Sequence, residues 1–268
     1  MTDRDRRDVR GPLPLDAGVP SSSFSQLLAA QDLLPRWDIE RLAGSIETAE
    51  ATTVLALRWS GGVVMAGDRR ATAGNIIAHK RIRKVYPADE YSAVAISGTA
   101  GMAEELIKLF QTELEHYEKI EGTRLSLEGK ANYLARMVRG NLALAFQGLV
   151  VVPLFCGYDL SEGAGRLYSF DVVGGRYEEH DYATTGSGGQ EARSFLKASW
   201  APDVDEAEAT RLAVEALIAA AEEDSATGGP DLRRGIYPNV VTVTAEGFRE
   251  VPDDAIAEVA AEVLESRP

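Results

Sequence analysis

Cysteine is almost missing from this chain, with Cys156 standing alone. An intramolecular disulfide and a cysteine-rich zinc site are thereby excluded, and the usage suits a reducing cytoplasm. Cys156 lies in the apolar run Val150 to Tyr158, where it reads as a small buried hydrophobe rather than a reactive thiol. Histidine is scarce too. His79, His116 and His180 are scattered without i, i+4 pairing, so no metal site and no metal cofactor are expected from them. Long apolar runs are also lacking, because Val150 to Tyr158 falls well short of the roughly 20 residues of a membrane helix. Basic charge is in deficit: 28 Lys and Arg stand against 42 Asp and Glu, a formal net charge of -14. Such a field repels a phosphate backbone. Neither nucleic acid nor a membrane is therefore an expected partner.

What is present suits one large domain with an appendage. The chain has 268 residues, 45% apolar and 26% charged, which is ordinary for a globular protein with a sizeable core. Residues 1–51 differ in texture. A mixed-charge start is followed by Gly11, Pro12, Pro14, Gly18, Pro20 and a serine cluster, so this stretch reads as a detachable leader, largely irregular. Phe24, Leu27, Leu28 and Leu34 fall near one face and predict a short helix near 23–34. Gln26, Gln31 and Asp32 interrupt that apolar face, which argues against a secretory signal.

From Thr52 onward the runs become short and β-rich. Strands are expected at Thr53 to Trp59, Gly62 to Ala66, Tyr91 to Ser97, Val150 to Tyr158, Arg166 to Val172 and Val240 to Thr244. Helical periodicity marks Met102 to Ile120 and Ser126 to Leu149, the second with Leu134, Val138, Leu142 and Phe146 aligned. Asp205 with Glu208 predicts a capped helix to about Asp224, and Pro252 opens another toward Leu264. Strands grouped apart from helices predict an α+β fold with two face-to-face sheets and helices outside. Burial of both sheets explains why Thr53 to Leu57 and Val150 to Cys156 are nearly continuously apolar.

The chemistry-bearing segment runs from Thr52 to Arg70. A hairpin turning at Ser60 to Gly62 places Asp68 beside Thr52. A hydroxyl next to a carboxylate is common at strand ends and carries little alone. The abrupt change from leader to strand at Thr52 adds weight, because a chain cut there gains an α-amine on the hydroxyl-bearing residue. That amine, with an unperturbed pKa of about 7.7 to 8.0, can accept the hydroxyl proton near neutral pH. The mechanism also calls for a nearby cation. Lys84 is the candidate, although among Lys80, Arg81 and Arg83 the residues alone do not distinguish it from a solvated charge.

Thr-Thr-Val-Leu-Ala-Leu from Thr52, Gly67-Asp68-Arg69-Arg70-Ala71-Thr72 and Lys84-Val85-Tyr86 resemble the opening of proteasome β-subunits, most closely the bacterial, actinobacterial type. The similarity continues through Ser97-Gly98-Thr99-Ala100, Met137-Val138-Arg139-Gly140-Asn141-Leu142 and Asp224-Ser225-Ala226-Thr227-Gly228-Gly229-Pro230-Asp231. The resemblance implies an N-terminal-nucleophile hydrolase fold, a four-layer αββα sandwich. It implies a threonine endopeptidase in which residues 1–51 are a propeptide removed on maturation and 52–268 form the catalytic domain. By resemblance Thr52 is the nucleophile, Asp68 the orienting carboxylate and Lys84 the cation. Ser187, Asp224 and Thr227 are supporting groups, Thr227 standing where the family often has serine. Gly98 supplies the oxyanion N–H. Thr72 and Ala100 match positions that grip an extended substrate. Ala71, Ile96 and Ala100 match the pocket for the residue before the cut, which predicts an apolar preference. Cleavage falls between Ala51 and Thr52, and Ala51 replaces a glycine common in the family. Implied partners are other β-subunits in a homoheptameric ring, flanking α-subunit rings, an ATPase ring and tagged protein substrates, all cytoplasmic, with no cofactor.

The glycine-rich segments at Gly186 and Gly228 lack the lysine of a phosphate-cradling loop and read as turns. A serine triad is not expected, for want of a nucleophile elbow. Two rival classes remain. A subunit of the simpler two-ring ATP-dependent threonine protease shares the Thr-Thr start but has a different segment after Gly-Asp and typically no long leader. A non-catalytic β-type scaffold subunit is expected to lose Thr52, Asp68 or Lys84, and all three are present.

Overall fold

The computed structural model describes residues 52–267. The helix near 23–34, the leader and Ala51 lie outside the described residues. The order begins with β1 (Thr53–Trp59), β2 (Gly62–Gly67), β3 (Ala71–Ala73), β4 (Ile76–His79), β5 (Val85–Asp89) and β6 (Ser92–Gly98). Then come α1 (Ala100–Glu121), α2 (Leu127–Gly140) and α3 (Leu142–Ala145). Strands β7 (Val151–Asp159), β8 (Ala164–Phe170), β9 (Arg176–Glu179) and β10 (Tyr182–Gly186) precede α4 (Gly189–Ser199) and α5 (Glu206–Glu223). The described chain closes with β11 (Asn239–Thr244), β12 (Gly247–Glu250) and α6 (Asp253–Ser266).

Two antiparallel five-stranded sheets, ordered β10-β1-β2-β11-β12 and β5-β6-β7-β8-β9, stack between helical layers. The period of two along each strand decides which layer a side chain serves. In β1, Val54 and Ala56 point into the space between the sheets with Met65, Leu154 and Leu167. Leu55 and Leu57 point the other way, against Leu212 and Leu217 of α5 and Ile256 of α6. On the second sheet Val94, Ile96, Phe155 and Tyr168 meet Phe110 of α1 and Leu134 of α2. Three apolar clusters therefore separate four layers. Each fully buried Leu or Phe contributes about 1.5–3 kcal/mol, so strands buried on both faces carry much of the stability. This is the αββα sandwich that the run of strands and helices predicts.

Local chemistry agrees at the helix starts. The Asp205 carboxylate accepts the Glu208 N–H at 2.8 Å, Ser126 caps α2 by accepting from Gly129, and Pro252 precedes α6. The expected helix from Ser126 to Leu149 is corrected. It ends at Gly140, and Asn141 donates its N–H to the Val138 carbonyl at 3.0 Å before the short α3. Gly costs a helix interior about 1 kcal/mol relative to Ala, and the break rotates Phe146 off the inner face, leaving it 83% exposed. Cys156 is sealed between the sheets, and burial pushes its thiol pKa up.

Candidate active site

The first hairpin has a two-residue turn at Ser60 and Gly61, so Val54 pairs with Gly67 and Trp59 with Gly62. Extended one step, this register sets Asp68 against Thr53. The sequence expectation of Asp68 directly beside Thr52 is therefore corrected by one residue. The cause is the turn centre: pairing Thr52 with Asp68 requires a centre on Ser60, whereas the two-residue turn is centred between Ser60 and Gly61. The Asp68 N–H donates to the Thr53 carbonyl at 3.1 Å, and Asp68 Oδ1 accepts the Thr53 N–H at 2.9 Å. Oδ2 accepts the N–H of Arg70 at 2.8 Å and of Gly228 at 2.9 Å.

Asp68 is fully buried and bonded through Oδ1 to the ammonium of Lys84, itself buried. Gly67 leaves room for the lysine, since a Cβ there would lie 3.1 Å from the Lys84 Cβ. Burial pulls the Lys84 pKa down, opposed by the carboxylates of Asp68 and Asp224, which favour the charged form. A lysine so poised sits closer to giving up its proton than a solvated one.

A second polar group flanks Thr52 from the other side. At Gly186 φ is +101°, and a Cβ would fall 1.7 Å from the Thr52 carbonyl oxygen, so only glycine fits. The next residue uses that approach: the Ser187 N–H donates to the Thr52 carbonyl at 3.1 Å. The hydroxyls of Ser187 and Thr227 both donate to Asp224 Oδ2, at 2.5 Å and 2.6 Å. Partial burial pushes the Asp224 pKa up, but these hydroxyls and the N–H groups of Ala226 and Thr227 outweigh it and hold it below the usual carboxylate value.

Thr52, 6% exposed, lines a cleft of about 350 Å³ together with Lys84 and Gly98. Gly98 has φ +112°, and a Cβ there would lie 2.0 Å from the Val150 carbonyl oxygen. Ile96 and Ala100 line the same cleft. Ala71 does not: it is buried at the start of β3 and is absent from the lining. Thr72 pairs with Ile77 in the β3–β4 hairpin and also lies outside the lining. Sequence reasoning missed Ile82, Tyr86, Ala103 and Ile107, which complete the apolar wall, and Glu104, which pairs with Lys108. Ala103 and Ile107 follow Ala100 at helical spacing along α1, a signal that was available. A wider depression of about 590 Å³, bordered by Lys80, Arg81 and Arg234, lies beyond His79 and does not include Thr52.

Among the described residues no group of three or more His, Cys, Asp and Glu side chains could hold a metal ion. No helix among them is long and apolar enough to cross a membrane. The arrangement offers instead a hydroxyl in a cleft, a buried lysine–carboxylate pair and a hydroxyl–carboxylate cluster, the parts of nucleophilic acyl transfer.

Comparison with known proteins agrees with this geometry. The family described as "Proteasome subunit" matches residues 48–231. "Proteasome subunit beta" of Streptomyces griseus subsp. griseus is 53% identical over 261 residues, 96% of this chain and 93% of that protein. The protein of the same name from Acidimicrobium ferrooxidans is 57% identical over 217 residues, 81% of this chain and 80% of its own. That of Acidothermus cellulolyticus is 53% identical over 265 residues, covering 96% and 91%. By this identity and coverage, the chain belongs to the proteasome subunit family as a member of its β type.

Proposed function

We propose that this peptidase subunit of a proteasome core is a threonine endopeptidase whose nucleophile is Thr52, released when residues 1–51 are removed by the chain's own attack at Ala51. The observation that carries the reading is that Thr52 shares its cleft with Lys84, which is paired with buried Asp68, while Ser187 of the Ser187–Asp224–Thr227 cluster donates its N–H to the Thr52 carbonyl. As long as Ala51 precedes it, the nitrogen of Thr52 is an amide and cannot act as a base.

Once freed, that nitrogen takes the proton from Thr52 Oγ1 while the oxygen attacks the scissile carbonyl. The charge of Lys84, held by Asp68, favours the neutral amine and the developing alkoxide. The N–H of Gly98 stabilises the oxyanion of the tetrahedral intermediate. Collapse forms an ester on Thr52 and expels the amine product, which carries away the proton. Water, deprotonated by the same amine, then hydrolyses the ester. Ile96, Ala100, Ala103 and Ile107 give the cleft an apolar wall, which favours an apolar side chain before the cut.

The reading extends to assembly in homoheptameric β-rings between α-subunit rings, fed with tagged, unfolded proteins by an ATPase ring in the cytoplasm. Retention of Thr52, Asp68 and Lys84 disfavours a scaffold subunit, and the names of the relatives disfavour the two-ring protease. The intact mass of the purified, assembled protein tests the reading. Loss of residues 1–51 alongside peptidase activity is expected; full activity with the leader still attached would overturn it.

A further inference from the structure

Thr53, next to the nucleophile, is fully buried and has both its main chain and its side chain engaged within the site. Its N–H and carbonyl are exchanged with Asp68, as described above. Its hydroxyl oxygen accepts the Gly188 N–H at 2.9 Å and lies 2.6 Å from the Thr227 hydroxyl. The direction of that last bond follows from a count of protons. A threonine hydroxyl has one proton, and that of Thr227 goes to Asp224. Thr227 must therefore accept from Thr53. The result is a one-way chain from the Gly188 N–H through Thr53 and Thr227 to the Asp224 carboxylate, where the Ser187 hydroxyl also ends. Gly188 is small by necessity, since a Cβ would stand 2.6 Å from Thr227 Oγ1 and 2.9 Å from Thr53 Oγ1.

We propose that Thr53 is a positioning residue for the reaction at Thr52, its hydroxyl fixing the Ser187–Asp224 cluster relative to the Asp68–Lys84 pair that its main chain holds. The proposal rests on the reading of Thr52 as nucleophile. It differs from a packing role, because it assigns the function to the oxygen rather than to the methyl group. Polar groups linked in this way act as a unit, and breaking one link is felt at the far end.

The test uses assembled particles of wild type, Thr53→Val, Thr53→Ser and Thr52→Ala. Peptide turnover is normalised to the processed fraction found by intact mass, and thermal midpoints are recorded in parallel. Thr53→Val keeps the shape and loses the hydroxyl; its kcat is expected to fall about tenfold at unchanged KM. Thr53→Ser keeps the hydroxyl and loses a methyl, so kcat stays near wild type while the thermal midpoint drops. Wild-type kcat in Thr53→Val, or turnover that merely follows the thermal midpoint across the two variants, would overturn the proposal. If Thr53→Val does not assemble, Thr53→Cys replaces the hydroxyl by a weak hydrogen-bonding thiol; undiminished kcat there would overturn it equally. Thr52→Ala separates the two levels: an active Thr52→Ala particle sinks the nucleophile reading, whereas an inert one beside an unaffected Thr53→Val sinks this proposal alone.

Discussion

Asp68 and Thr53 each donate a backbone N–H to the other, at 2.9 Å to the Asp68 carboxylate and at 3.1 Å to the Thr53 carbonyl. This exchange fixes the carboxylate before any substrate arrives. One oxygen is divided between Thr53 and Lys84, and the other is held by Arg70 and Gly228. A carboxylate gripped by so many donors cannot turn away, and the lysine beside it keeps its place.

Asp68→Asn removes the charge and keeps the shape. Breaking one side of a buried ion pair costs about 3–5 kcal/mol, so chemical denaturation of the assembled protein should show a loss of that order. Peptide turnover should disappear with it. Wild-type stability and turnover in this variant would mean that the pair is incidental.

Thr52→Ala should keep residues 1–51 and show no peptidase activity, at a thermal midpoint close to wild type. Thr53→Ala should still shed the leader, although its turnover is reduced. Intact mass spectrometry reads both outcomes, and the reverse pattern would assign the nucleophile to Thr53.

Gly186→Ala places a methyl group against the Thr52 carbonyl in a backbone conformation that L side chains rarely adopt. Strain of about 1–3 kcal/mol is expected, and at about 2–4 °C per kcal/mol for a chain of this size the melting midpoint falls by several degrees. Turnover should fall further than stability, because the displaced atom belongs to the nucleophile's own residue. Calorimetry beside a peptide assay checks both.

The pH dependence follows from Asp224, whose pKa is held below its unfolded value. Such a group stabilises the fold above the unfolded pKa of about 3.9, and that contribution is lost as pH falls through the lower folded value. Asp224→Asn should therefore flatten the stability curve in that acid window relative to wild type. Thermal melts between about pH 2 and 6 would detect the difference, and parallel curves would remove Asp224 from the account.

The four layers were legible because strands buried on both faces lose their polar alternation, as Thr53 to Leu57 does, and because Asp205 and Pro252 mark their helices. The hairpin was legible as well, but its register was not. Ser60-Gly61-Gly62 allows two turn centres, and only the packed sheet selects one. The burial of Lys84 could not be read locally, since it depends on the missing side chain of Gly67; the family resemblance supplied only the choice of Lys84 as the cation. The bonding of the Thr53 hydroxyl escaped notice because a β-branched residue in a strand needs no further explanation. Its role emerges only when Gly188 and Thr227 arrive from distant parts of the chain.

Cys156, lodged between the two sheets with a thiol that resists ionisation, has a practical consequence. An alkylating reagent can reach it only when the sheets part, so the rate of labelling reports how often the sandwich opens. With Cys156 as its only thiol, the chain carries a built-in clock for its own breathing, readable without introducing a further cysteine.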